Sequence, residues 1–171
     1  MTGPERGSPP LDAVARVQAA LTAAGVDAAI VRFAQSTRTA QDAARAVDTS
    51  VGQIVKSLVF VADGRPILAL VSGANRVDVA KLARLAGAAR VEKASADATR
   101  EATGFSIGGV PPVGHRGPLP VYVDETLLRY EIVYAAAGTP HAVFPVEPAT
   151  LVRIASGAVG DIAESAAPPP R

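Results

Sequence analysis

The chain has no cysteine and no tryptophan among its 171 residues, and aromatic side chains make up only 4%. Without cysteine there can be no disulfide, no thiolate metal ligand and no cysteine nucleophile, a composition that suits a reducing cytoplasm. Histidine is scarce too, with two residues, His115 and His141, and no HExxH pattern, so neither a metal nor a cofactor is expected. A G-x-S-x-G nucleophile elbow is absent as well. The first ten residues, MTGPERGSPP, lack the apolar stretch of a signal peptide, and no later run approaches a membrane span. A dense basic surface is missing: 17 Lys plus Arg against 16 Asp plus Glu leave a formal charge of +1. That balance excludes a protein that grips a long stretch of duplex DNA, while a short contact with a nucleic-acid end stays open. The expectation is a cytoplasmic protein with no membrane or DNA partner.

What is present is aliphatic. Apolar residues reach 49% of the sequence, so the core must be built from Val, Leu, Ile and Ala, which favours an α/β mixture. The length fits one domain. Residues 1–10 and 166–171, rich in Gly, Pro and Ser or in Pro and Ala, read as flexible tails around a folded unit at 11–165. Leu11, Val14, Val17 and Leu21 recur at helical spacing up to Gly25, and Ala28 to Phe33 reads as a strand. Thr39 with Asp42 resembles a capping box for an alanine-rich helix that fades near Val47. Val55 to Ala62 and Pro66 to Ser72 flank Asp63-Gly64, a favoured hairpin turn. Asn75 is expected to cap a helix from about Val77 to Ala86 that Gly87 ends. A short strand at Ala88 to Glu92, a helix at Ala96 to Thr103, and strands at Val121 to Asp124, Glu131 to Ala135 and His141 to Pro145 follow, with a last helix near Pro148. Hairpin-paired strands interleaved with helices imply a mixed, largely antiparallel curved sheet flanked by helices.

Two stretches stand out chemically. Lys56, one of three lysines, lies in Ile54-Val55-Lys56-Ser57-Leu58-Val59-Phe60, where alternation puts it on the face of Leu58 and Phe60. It either snorkels from the start of a strand or reaches a ligand, because a charged amine near a core face is otherwise costly. Gly108-Gly109-Val110-Pro111-Pro112-Val113-Gly114 sits in a long Gly/Pro loop, Gly104 to Pro120, in which Phe105, Ile107, Val110 and Val113 can act as apolar pins. It matches neither a Walker A loop nor a Rossmann fingerprint. It is either a structural turn or a backbone cradle for an oxyanion or ribose. Between Arg76 and Arg100, six basic residues (Arg76, Lys81, Arg84, Arg90, Lys93, Arg100) face three acidic ones (Asp78, Glu92, Asp97), a solvated helix face or a contact patch. His141, after a Gly-Thr-Pro turn, is placed at a strand start, where a lone histidine is more often structural than catalytic.

The lysine strand, Leu82-Ala83-Arg84-Leu85-Ala86-Gly87-Ala88, Val91-Glu92, Thr103-Gly104-Phe105, the Gly-Pro loop and the Ala-Gly-Thr-Pro-His turn together resemble the YbaK/EbsC family. That family includes the editing insertion of bacterial prolyl-tRNA synthetase, and the likeness spans about Leu11 to Ala163. It implies a trans-editing hydrolase that removes a small amino acid such as Ala, Ser or Cys from the 3′ end of a mischarged tRNA, commonly tRNA for proline. Lys56 matches the family's essential lysine, and Gly108, Gly109 and Pro111 match its substrate loop, which Val110 and Gly114 complete. Ser57 occupies a position held by Thr, Ser or Asn, and His141 matches a histidine of the alanine-editing branches. The implied site is therefore catalytic at Lys56 and His141, with Ser57, Gly108, Gly109, Val110, Pro111 and Gly114 binding substrate. Lys56 is expected to anchor phosphate or substrate, and the attacking group to be water. Ala136 and Ala137 stand where the cysteine-removing branch has a polar residue, which points to alanine or another small residue. The implied partners are the aminoacyl-tRNA 3′ end and prolyl-tRNA synthetase. The other reading is a non-catalytic module that binds a tRNA 3′ end, a nucleotide or a synthetase.

Overall fold

The computed structural model describes residues 12–35, 37 and 39–165. Leu11 and the expected tails, 1–10 and 166–171, lie outside the described residues. The first described element is α1 (Ala13–Ala23), whose N-terminus is capped by Asp12 accepting from the Ala15 amide at 2.7 Å. Its apolar stripe, Val14, Val17 and Leu21, is buried as the spacing predicts. The next strand, β1 (Val31–Arg32), is shorter than the expected Ala28 to Phe33. Thr39 caps α2 (Ala40–Ala46) by accepting from the Asp42 amide at 3.1 Å.

The hairpin pairs β2 (Val55–Ala62) with β3 (Arg65–Ser72) over their full length. Its turn residues Asp63 and Gly64 both have positive φ, 48° and 82°, as a tight two-residue connection needs. The helix α3 (Val79–Ala86) starts later than expected, because Asp78 and not Asn75 caps it, accepting from the Lys81 amide. Asn75 is used elsewhere, as described below. After β4 (Val91–Lys93) and α4 (Ala96–Thr103) comes β5 (Val121–Asp124). A 3-10 turn at Glu125–Arg129 leads to β6 (Val133–Ala136), β7 (Ala142–Val146), α5 (Pro148–Ala155) and β8 (Gly157–Gly160). The alternation of apolar residues did not reveal β8, whose Gly-Ala-Val-Gly sequence is too short and too small to show a period.

The strands form two sheets, where one was expected. A five-stranded sheet runs β4-β2-β3-β5-β8, antiparallel on the hairpin side and parallel from β3 onwards. A three-stranded antiparallel sheet runs β1-β7-β6 and meets the first through one bridge, Ile54 to Tyr134. The main core, with Leu68, Leu70, Val123 and Phe144, lies between the sheets, α1 and α5, while Phe60, Ile67, Ala69 and Val71 pack with Leu82 and Ile162 on the opposite face. Among the described residues no helix is long and apolar enough to cross a membrane.

Asp124 ends β5 fully buried. Its carboxylate accepts from the Ser72 amide (3.1 Å), the Asn75 side-chain amide (2.9 Å) and the Thr126 amide (2.9 Å). Replacing it by alanine strands three buried or half-buried donors. Asp124→Ala should therefore cost roughly 2–5 kcal/mol, and Asp124→Asn clearly less, read as midpoints of urea unfolding.

Candidate functional site

A cavity of about 320 Å³ opens where β4 stops pairing with β2. Val55, Lys56, Ser57, Leu58 and Val59 form one wall, Tyr134, Ala136, Ala142 and Val143 of the smaller sheet another, and Ile107, Gly108 and Val110 of the Gly-Pro loop a third. Of the residues expected in the site, the structure brings Lys56, Ser57, Gly108 and Val110 to the lining. Gly109, Pro111, Gly114 and His141 are not among the lining residues.

The wall at Ser57 follows from strand register. Leu68 donates its amide to the Pro120 carbonyl, so Leu68 and, by alternation, Leu70 turn their hydrogen-bonding groups toward β5. Ser57, opposite Leu70, then directs its own N–H and C=O away from β3, to an edge that β4 covers only from Phe60 onwards. The Ser57 hydroxyl is buried in the same wall with no hydrogen-bond partner. A buried hydroxyl without a partner is costly and calls for an explanation.

Lys56 is half-buried and donates to the Asn75 carbonyl. Burial pushes its amine below the ordinary lysine value of 10.5, Arg76 adds to that, and Asp124 opposes it. The side chain of Asn75 donates to Asp124 and, at 3.1 Å, to Thr126, so the acceptor that holds Lys56 is itself fixed.

The Gly-Pro loop is a packed element. Phe105, Val110 and Val113 join the main core as pins, whereas Ile107 is 54% exposed. Gly109 lies against the Gly138-Thr139 turn so closely that a Cβ would sit 2.6 Å from the Thr139 Cα. Helix α1 touches both segments: Arg16 donates to the Gly104 carbonyl (3.1 Å) with its guanidinium 4.5 Å from the centre of the Phe105 ring, and Gly138 abuts the Ala13 carbonyl. The Pro111 carbonyl lies 2.6 Å from His115 Nε2. A carbonyl only accepts, so Nε2 carries the proton. Burial pushes the His115 imidazole below its usual range, partly offset by that hydrogen bond. His141 is exposed; its backbone N–H donates to Thr139 Oγ1 (3.1 Å) and its carbonyl accepts from the Phe33 amide.

Reading the sequence alone missed Thr37, Thr39, Lys93, Thr99 and Tyr134, which also line the cavity. They come from four different segments, the stretch before α2, β4, α4 and β6, so no local spacing could have joined them all. Among the described residues no three His, Cys, Asp or Glu side chains gather as a metal site. The lining combines a fixed amine, an open strand edge, an unpaired hydroxyl and an apolar wall. Such a site suits a ligand with a polar or anionic part and a small apolar part.

Residues 34–154 match the model of the aminoacyl-tRNA editing domain. The chain belongs to that family. It is similar to EbsC of Enterococcus faecalis, a candidate Cys-tRNA(Pro)/Cys-tRNA(Cys) deacylase, with 27% identity over 72% of this chain and 76% of that one. Proline-tRNA ligase of Nitratidesulfovibrio vulgaris is 36% identical over 52% of this chain, which corresponds to 16% of the ligase. A crystal structure described as that of a candidate trans-editing enzyme for prolyl tRNA synthetase superposes with a TM-score of 0.85 at 48% identity, covering 93% of this chain and all of that one.

In Gly109→Ala the new methyl meets backbone at 2.6–2.8 Å, so the loop must shift. The expected cost is about 1–3 kcal/mol, a fall in melting temperature of about 2–4 °C per kcal/mol. His115 resists protonation in the fold but not in the unfolded chain. Stability is therefore expected to fall as pH drops below about 6.5. His115→Gln should remove that part of the decline when unfolding is compared at pH 7.5 and 5.5.

Proposed function

We propose that this protein is a cytoplasmic trans-editing deacylase that hydrolyses the ester between a small amino acid and the terminal adenosine of tRNA, with tRNA for proline as the substrate. The observation that carries this reading is the wall at Ser57: an open strand edge and an unpaired buried hydroxyl beside a fixed lysine, in a chain of the aminoacyl-tRNA editing family. The names of its relatives, which refer to Cys-tRNA(Pro) and to prolyl tRNA synthetase, support proline tRNA as the carrier and the synthetase as the enzyme whose errors are corrected.

In this reading water attacks the ester carbonyl, the carbonyl electron pair moves onto oxygen, and collapse releases the amino acid and the ribose hydroxyl, which takes up the proton. The N–H of Ser57 is positioned to donate to the oxyanion and its hydroxyl to bind the substrate's polar atoms. Gly108 and Val110 confine the ester from the loop side; the Gly109 amide is committed to the Ser106 carbonyl at 3.0 Å. Lys56 anchors the terminal phosphate or the ester's polar atoms. Gly109, Pro111 and Gly114 shape the loop from behind, and His141 meets substrate from the exposed rim of the Thr139 turn. The alanines that line the cavity, Ala40, Ala43, Ala94, Ala136 and Ala142, offer a small apolar surface that favours alanine or a residue of similar size. A synthetase pocket discriminates by only about 1–3 kcal/mol per methylene, which is why a second site for small residues is needed.

The test is ester loss from tRNAs charged with alanine, serine, cysteine or threonine, with Lys56→Met alongside. The variant exchanges a half-buried amine for a neutral chain of similar length, so its melting temperature should stay within about 3 °C of the parent. Its rate should fall by about 100-fold or more. Hydrolysis of none of the four esters would sink the catalytic reading and leave tRNA binding as the function, whereas equal hydrolysis by the variant would remove Lys56 from the mechanism.

A further inference from the structure

The sequence holds three lysines. One, Lys81, is engaged by Asp161 (3.0 Å) and the Ala163 carbonyl (2.8 Å). The other two, Lys56 and Lys93, both line the cavity, and among its described lining residues no other side chain is charged. Lys56 is held by Asn75, whereas Lys93, at the end of β4, is exposed and forms no ion pair among the described residues. An exposed cation beside a cavity without carboxylates attracts an anion that extends beyond the cavity itself. Ile107 also lines the cavity and is 54% exposed, a large apolar side chain left at its mouth. The loop that carries it is tethered by Arg100, which donates to Ser106 at 2.8 Å.

We infer that Lys93 and Ile107 form a second subsite at the cavity mouth, where Lys93 binds the phosphodiester and Ile107 packs on the base of the nucleotide that precedes the terminal adenosine. A cation beside an exposed apolar side chain suits a single-stranded end, since each nucleotide presents one charge and one flat apolar face. The inference rests on the editing reading for the identity of the ligand, and it adds a contact that a terminal nucleoside alone cannot make.

The experiment measures binding of uncharged proline tRNA by fluorescence anisotropy over a range of salt, beside the same tRNA trimmed of its single-stranded 3′ nucleotides. Lys93→Gln should weaken intact tRNA by about fivefold and lower the slope of log affinity against log salt by about 0.7, while Lys93→Arg restores both. Ile107→Ala should weaken intact tRNA without changing the slope. With trimmed tRNA neither substitution should have an effect. In hydrolysis, the fold-loss of Lys93→Gln on charged tRNA should exceed its fold-loss on aminoacyl-adenosine, which lacks the phosphodiester. An unchanged slope, or equal weakening of intact and trimmed tRNA, overturns the subsite. Tight, slope-dependent binding without hydrolysis by the parent protein overturns the editing reading and leaves the subsite standing.

Discussion

The carboxylate of Asp124 is the contact on which the site's geometry depends. Three chain segments converge on it: the end of β3 through the Ser72 amide, the connection after β3 through Asn75, and the turn after β5 through Thr126. Each accepted hydrogen bond reduces the cost of keeping the group fully buried. Because the Asn75 side chain is bound to Asp124, the residue is fixed and its backbone carbonyl can receive Lys56 from the neighbouring strand. The amine of this cavity-lining lysine is thus positioned by groups that lie outside the lining. A polar network in a low-dielectric setting holds its geometry well when all its members are satisfied, and this one leaves a single feature unsatisfied nearby, the hydroxyl of Ser57.

Much of the molecule could be read from residue order, and what escaped did so for definable reasons. The helical stripe of α1, the Asp-Gly hairpin, the Thr39 cap and the proline start of α5 are local signals, and local signals survive folding. Asn75 was misread because Asn and Asp cap helices equally well. Asp78, three residues on, took the cap, and Asn75 was recruited by a carboxylate distant in sequence. The division into two sheets was not legible either, since it depends on which distant strands pair, β7 with β1 and β6 and not with the hairpin.

The site shows the same division. Lys56 and the Gly-Pro loop were visible as anomalies, a charge on an apolar strand and a glycine-rich run that ends in prolines. What those anomalies do in three dimensions is less uniform than the motif suggests: Gly108 and Val110 line the cavity, while Gly109 packs against the Gly138-Thr139 turn and the Pro111 carbonyl accepts from His115 within the loop. Lys93 stood out in the sequence only as one of six basic residues between Arg76 and Arg100. Its importance comes from where β4 ends.

That ending has a second effect. A sheet exposes unpaired backbone along its outer strands, and long outer strands recruit other chains. Here the five-stranded sheet is bounded by β4, three residues long with Glu92 and Lys93 exposed, and by β8, four residues that begin and end in glycine. The same brevity that leaves Ser57 uncovered makes a poor template for strand addition, so the opening that admits a ligand is also a guard against fibrous self-association.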